Sequence, residues 1–259
     1  MSLVNLELRD DHIAWLTINR PEAANSLNKH VLDQIAGHVK ELSLNPKVRA
    51  LVLTSAGEKV FSAGADLKER RELSVEEVPF AVKRIRETID LVDDFPAPTI
   101  CALNGPAFGG GFELALACDI RICTPHTTFA LTETSLAIIP GAGGTQRLPR
   151  AIGMSRAKEM IFTSKKIDAQ TAEQWGLVSS VSTSHSLYEE VKALTDQMVR
   201  CGPVALRQAK FAMNQGAGTD LKTGIAIEAK AYEITIPTED RIEGLEAFKE
   251  KRKPQYTGR

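Results

Sequence analysis

Cysteine is scarce in this chain: Cys101, Cys118, Cys123 and Cys201 are its four thiols, and no two form a C-x-x-C pair. A chain of 259 residues buries enough core to fold as one large domain, with or without an appendage, so no disulfide framework is expected and a reduced compartment fits best. The first residues, Met1 to Glu7, have neither a basic stretch leading into an apolar one nor an arginine-rich transit pattern, and a cytoplasmic location is the expectation. No apolar run reaches the roughly 18 residues of a membrane span. A net charge of -1 excludes a strongly basic nucleic-acid protein by bulk charge. The five histidines, His12, His30, His38, His126 and His185, are scattered, none at zinc-ligand spacing, so no metal site is expected. Three catalytic signatures are also missing. There is no G-x-x-x-x-G-K-[ST] to cradle a nucleotide phosphate, no complete G-x-G-x-x-G for a dinucleotide, and no G-x-S-x-G nucleophile elbow.

Charge itself is locally missing, and what interrupts that absence is informative. From Ala102 to Cys118 the only charged side chain is Glu113, two residues after Gly109-Gly110-Gly111. From Ile122 to Gln146 the only formal charge is Glu133, eight residues before Gly141-Ala142-Gly143-Gly144. Desolvating a carboxylate is costly and raises its pKa, so two carboxylates in apolar surroundings point to acid-base chemistry. A triple glycine at a helix start lets backbone N–H groups approach a ligand, and the positive end of the helix favours developing negative charge, as an oxyanion site requires. Glu113, three residues after Gly110, shares a helix face with those donors. The same letters also occur in ordinary packing turns and helix caps, and the pairing of the two glutamates is what favours function.

The hydrophobic pattern gives an α/β order. Val4 to Arg9 and Ile13 to Asn19 read as a hairpin turning at Asp10-Asp11. Val31, Leu32, Ile35, Val39 and Leu42 mark a helix between Asn28 and Asn45-Pro46, and Arg49 to Thr54 a buried strand. A turn-rich loop carries Phe61 to Leu67. Ser74-Val75-Glu76-Glu77 reads as the capping box of a helix reaching about Asp94. Thr99 to Leu103 predicts a strand, Gly110 to Cys118 a helix and Ile120 to Cys123 a strand. Beyond Gly153 the pattern is mostly helical, at 155–163, 169–175 capped by Asp168, 186–200, 203–214, 221–235 and 239–252, with Val178 to Val181 the one strand-like stretch. Residues 1–200 are expected to form the core and 201–259 a helical oligomerisation region. There Ala226, Ile227, Ala231, Ile234 and Ile236 offer an apolar surface to cover the core or a neighbouring subunit. The run Lys249-Glu250-Lys251-Arg252-Lys253 reads as a solvated helix end.

At these motifs the sequence resembles the enoyl-CoA hydratase/isomerase, or crotonase, family over nearly its full length. The carriers are Phe61-Ser62-Ala63-Gly64-Ala65-Asp66-Leu67-Lys68, Asn104-Gly105 with Gly109 to Ala115, Cys118-Asp119-Ile120-Arg121, and Ile139 to Leu148. Through Leu136 to Pro140 and Gly244 to Arg252 it is most similar to the methylglutaconyl-CoA hydratase branch, which also binds AU-rich RNA. The resemblance implies a crotonase-like spiral of ββα units with a C-terminal helical trimerisation region, assembled as a trimer or dimer of trimers. It implies an acyl-CoA thioester substrate with no cofactor besides its coenzyme A. The N–H groups of Ala65 and Gly110 are implied to form an oxyanion hole. Ala63, Ala65, Asp66, Leu67 and Lys68 would hold the adenine end of coenzyme A, with Ala23 nearby, and Phe248 and Lys251 would reach it from an adjacent subunit. Glu113 would deprotonate a water and Glu133 deliver a proton to Cα. Related isomerases generally lack a carboxylate at the Glu113 position, so a hydratase of short-chain 2-enoyl-CoA is expected, 3-methylglutaconyl-CoA being the alternative. Glu22 departs from relatives, where that position is often basic. RNA binding is not expected, because the helix from Asn28 balances Lys29 and Lys40 with Asp33 and Glu41.

Overall fold

The protein is described by a computed structural model covering residues 2–9, 12–183 and 185–259. Two strands open the chain, β1 (Val4–Leu8) and β2 (Ile13–Ile18), paired antiparallel with Leu6 opposite Leu16. The pairing is the hairpin expected from the alternation; its turn at Asp10-Asp11 lies outside the described residues. Next come helix α1 (Lys29–Ser43), capped by the Asn28 side chain accepting from Val31 N, and strand β3 (Ala50–Ser55). Helices α2 (Leu67–Glu72) and α3 (Val78–Asp93) lead to β4 (Thr99–Leu103), β5 (Ala107–Phe108), helix α4 (Gly110–Leu116), β6 (Ile120–Cys123) and β7 (Thr128–Ala130). The remainder holds α5 (Gly144–Ile152), α6 (Met154–Thr163), β8 (Ile167–Asp168), α7 (Ala169–Gln174), β9 (Ser180–Val181), α8 (Leu187–Val199), α9 (Pro203–Gly216), α10 (Leu221–Thr235) and α11 (Glu239–Glu250).

The strands form a six-stranded sheet, ordered β1-β2-β3-β4-β6-β9 and parallel after its first pair, and a three-stranded sheet ordered β5-β7-β8. Each turn of the chain places one strand in the large sheet, then a short extended piece in the second layer, then a helix. After β2 that piece is Leu27, bridged to Ala65; after β3 it is Ser62, bridged to Ala107; after β4 and β6 it is β5 and β7. This is the expected spiral of ββα units. The period of two along each strand sorts its side chains between two cores. Leu16, Leu51, Leu53, Cys101 and Leu103 face the helices and the small sheet, while Trp15, Val52, Ile100 and Ile122 pack under Leu187 and Val191 of α8.

Four local features refine or depart from the sequence reading. The segment after Phe61 is not all loop, because Asp66 caps the short helix α2 by accepting from Lys68 N and Glu69 N. The Ser74 capping box forms only half: Glu77 reaches back to Ser74 N at 2.8 Å, but α3 starts at Val78 and no Ser74 side chain caps it. The two-residue strands β5 and β8 and the three-residue β7 are too short to show a period, and the helix α5 is hidden in the sequence by Gly143-Gly144 at its start and Pro149 inside it. Of the two covers expected for the apolar surface of the last helices, the core or a neighbouring subunit, the core takes only part: Ala231 is buried, while Ile234 and Ile236 are about half exposed, as are Ile225 and Phe211, and Phe248 is 87% exposed.

Candidate active site

Helix α4 is buried along its whole length, and its start is set by Gly109, which has φ 49° and ψ −128°. Only glycine takes that conformation without strain, and a Cβ there would lie 2.9 Å from Glu133 Oε1. The turn leaves the Gly110 N–H without an intrahelical partner, as for any first amide of a helix. Across from it, Gly64 at φ 91° folds the preceding loop so closely that a Cβ would meet Phe108 O at 2.7 Å and Gly110 N at 3.1 Å. The Ala65 amide thus lies beside Gly110, 3.6 Å from where a Gly110 Cβ would stand. Neither the Ala65 nor the Gly110 N–H donates a hydrogen bond among the described residues, whereas Gly109 N donates to Ala130 O, and Asp66 N to Leu27 O.

Glu113 lies one turn into α4 and is 3% exposed. Its Oε1 accepts from both Ala142 N and Gly144 N at 2.8 Å. The two glycine clusters therefore serve opposite partners: Gly109 abuts Glu133, and the Gly141–Gly144 loop holds Glu113. Arg147 braces that loop, donating from Nη1 to Ala142 O at 3.0 Å while its Nη2 pairs with Asp90 and Asp93 at 2.8 Å. Glu133 begins a 3-10 turn, Glu133–Leu136, tied down by Thr134 Oγ1, which donates to Ile161 O at 2.5 Å. Its Oε2 is buried with no hydrogen-bond partner among the described residues.

Burial raises the pKa of Glu113, opposed by the two backbone donors of Gly144 and Ala142 and by the charge of Arg147. Burial also pushes Glu133 up to about 7; the charge of Glu113 adds to this, and its own amide and the Arg70 charge oppose it. Both carboxyls line one small cavity with Ala65, Gly110, Arg70 and Ile139. Its volume of about 20 Å³ is room for a single water, which needs roughly 10–15 Å³. A larger cavity of about 240 Å³, shared at Ala65, Arg70 and Ile85, runs out between α1, α2 and α3.

The structure therefore brings Glu113, Glu133, Ala65 and Gly110 together. Asp66 lines the larger cavity, but its carboxylate is occupied: burial raises its pKa, and the salt bridge to Arg20 at 2.5 Å and the amides of Glu69 and Lys68 bring it below the usual value. Ala63 is exposed beside the Pro21–Ala23 turn, its N–H donating to Ala24 O, so Ala23 is a near neighbour. Leu67 and Lys68 are exposed at the start of α2. Phe248 and Lys251, at the far end of α11, line neither cavity within this chain. Sequence reading missed three residues. Asn25, fully buried, accepts from Arg20 N and donates to Ala56 O and Val60 O, fixing the loop under Ala63. Arg147 closes a charge-poor stretch, which was its one signal. Arg70 sits in the run Lys68-Glu69-Arg70-Arg71-Glu72, an ordinary mixed-charge stretch that gave none.

Two buried carboxyls facing a pair of unpaired amides across a water-sized space, on a spiral of ββα turns, define an enzyme that moves protons beside a carbonyl. The chain belongs to the enoyl-CoA hydratase/isomerase family, whose model matches residues 9–259. It is 48% identical over 258 residues to the mitochondrial methylglutaconyl-CoA hydratase of Homo sapiens, covering 98% of this chain and 76% of that one. It is 41% identical over 254 residues to the mitochondrial enoyl-CoA hydratase domain-containing protein 2 of Homo sapiens, covering 96% and 87%. The crystal structure of an enoyl-CoA hydratase from Bacillus anthracis superposes with a TM-score of 0.97 at 47% identity, over 99% of this chain and 100% of that one.

Proposed function

We propose that the protein adds water across the 2,3 double bond of a short-chain 2-enoyl-CoA, giving a 3-hydroxyacyl-CoA. The observation that carries this reading is the single-water cavity lined by Glu113, Glu133 and the Ala65 and Gly110 amides. Glu113, whose charge is supported by two N–H donors, takes a proton from the water as its oxygen bonds to Cβ. The π electrons move toward the thioester carbonyl, whose oxygen becomes negative and is held by the two amides. Two preorganised donors stabilise that charge more than the neutral carbonyl, and one such donor is worth about 10²-fold in rate. Glu133, protonated near neutral pH, gives its proton to Cα, and transfer of the new Glu113 proton to Glu133 resets the pair. The test is loss of enoyl-thioester absorbance with crotonyl-CoA; an inert, folded protein sinks the reading.

The working form is Glu113 ionised with Glu133 protonated, so kcat/KM is expected to be bell-shaped in pH. Activity falls as pH rises through about 7, where Glu133 ionises. It falls on the acid side at a pH above the ordinary glutamate value, because Glu113 is raised. A profile flat from about pH 5 to 9 contradicts this division of labour.

The same reading makes the helices from residue 201 onward an oligomerisation region that builds a trimer or dimer of trimers. It is supported by their exposed Phe211, Ile225, Ile234 and Phe248 and by the absence of any residue beyond Val199 from either core. Phe248 and Lys251 would then meet coenzyme A bound to a neighbour. The finer substrate reading, 3-methylglutaconyl-CoA, is supported by the human relative at 48% identity and requires a cation at the acyl end.

A further inference from the structure

We propose that Arg147 is a positioning residue for the hydration step: by holding the Ala142 carbonyl, it keeps the Ala142 and Gly144 amides on the base, Glu113. The inference rests on the hydratase reading above and concerns how its base is held. Three consecutive peptide groups carry it. The first supplies Ala142 N–H and the third Gly144 N–H, and both donate to Glu113 Oε1 at 2.8 Å. The middle one carries the Ala142 carbonyl, which accepts from Arg147 Nη1 at 3.0 Å. Neighbouring peptide planes are joined only through the φ and ψ of the residue between them, so fixing the middle plane limits how far the outer two can turn. One of those joints is Gly143, at φ 106°, a residue type with little resistance of its own to rotation. The guanidinium lies directly against it, where a Cβ would overlap Nη1. The Arg147 main chain closes on the same loop, its N–H donating to Gly143 O at 2.8 Å.

A long side chain restrains a loop only if it is itself restrained, because its own rotamer freedom must be lost first. Arg147 meets that condition. It is mostly buried, its Nη2 pairs with Asp90 and Asp93 of α3 at 2.8 Å, and its Nε donates to Asp93 at 3.2 Å. The planar fork is thereby fixed on the side away from the loop. Helix α3 also packs against α4, which carries Glu113, so the base and the loop that supports it are both set against one helix.

The charges acting within the site come from three elements: Glu133 in its 3-10 turn, Arg70 on α2 and Arg147 on α5. Around Arg147 itself, the same cleft is lined by Arg86 and Asp94 beside the two aspartates, by Arg150, and by Lys210 of α9, which pairs with Asp119. At Glu113 the effect of burial is opposed by the Gly144 and Ala142 amides and then by Arg147 and Arg70. The charges acting on Glu133 are those of Glu113 and Arg70. Loss of the hold therefore bears on the ionisation of the base rather than on that of the acid, and a turn of the middle peptide takes a donor from the carboxylate that needs it.

The experiment measures kcat and KM for crotonyl-CoA across about pH 5 to 9 in the full-length protein, in Arg147→Met, in Arg147→Lys and in the double variant Asp90→Ala/Asp93→Ala. Arg147→Met is expected to lower kcat/KM about 10-fold more on the acid side of the profile than above neutrality, chiefly through kcat and with KM within about 2-fold, because a carboxylate deprived of a cation or a donor keeps its proton to higher pH. Arg147→Lys retains the charge without the fork and is expected to fall between; it also carries the test if the methionine variant does not fold. The double variant separates holding from charge. Asp90 and Asp93 are nearly half exposed on α3, where alanine suits the helix. Removing two negative charges, acting through space alone, would favour ionised Glu113 and move the acid side to lower pH. Releasing Arg147 from its anchors moves it to higher pH, the result expected here. An acid side that moves down or stays in place in the double variant overturns the proposal, as does a profile in the Arg147 variants that keeps the wild-type shape at any rate, which is what a residue that only stabilises the fold would give. Those results with a wild type active on crotonyl-CoA sink this inference alone, whereas an inert wild type sinks the hydratase reading beneath it.

Discussion

Glu113→Gln and Glu133→Gln should each lower crotonyl-CoA hydration by about 10³-fold, within the range that one positioned acid or base supplies. Gln at 113 still offers an oxygen to Ala142 N and Gly144 N but cannot take a proton from water. Gln at 133 fits the same space and cannot give one up. The double variant should be scarcely worse than either single one, because the two groups act on one water as a unit. Multiplicative losses would mean that they work on separate steps.

The same substitution at Glu133 carries a stability signature. A carboxyl raised from 4.5 to about 7 in the folded state stabilises the fold only while protonated. That stability is present below the unfolded value and is lost as pH climbs through about 7. Ionised, the buried Glu133 costs about 3 kcal/mol relative to its unfolded state. Glu133→Gln removes that penalty, so at pH 8 the variant should melt above wild type by several degrees, and the gain should vanish by about pH 4. A wild type more stable than the variant at pH 8 would show that Glu133 is not desolvated as described.

Gly109→Ala should be strongly damaging. Its φ of 49° with ψ −128° is open to glycine alone, and the added Cβ would press on Glu133 Oε1 at 2.9 Å. Strain of this kind costs roughly 1–3 kcal/mol before the steric clash is counted, which corresponds to a melting temperature lower by about 2–6 °C. Pushing Glu133 aside by about 1 Å should also cost hydration roughly 10²-fold. Gly37→Ala is the control, because a Cβ there meets nothing within 4 Å in the middle of α1, and it should stabilise by about 0.5–1 kcal/mol. Equal behaviour of the two alanines would remove Gly109 from the site.

How far the letters carried depends on how much of each feature is local. Helix α1 and the cap at Asp168 were legible because their apolar spacing or capping chemistry is complete within a few residues. The small sheet was not, since its strands are two or three residues long and exist only by pairing with partners such as Phe129 opposite Ile167. Glu113 and Glu133 stood out because the cost of burying charge is written in the absence of other charge around them. That each belongs to the other's glycine cluster could not be read, because it is a matter of which loop the spiral brings across.

The amino-acid order by itself determined an α/β chain with two desolvated carboxyls and a glycine-started helix, since burial period, caps and backbone freedom are properties of neighbours in sequence. Only the tertiary structure decided that Ala142 and Gly144 support Glu113, that the space between the acids fits one water, and that Arg70, from an ordinary charged run, faces it. Distances between residues far apart in the chain, such as Glu113 and Ala142 at 29 positions, follow from how the turns stack, and the cost of an unpaired charge is set by what those turns exclude.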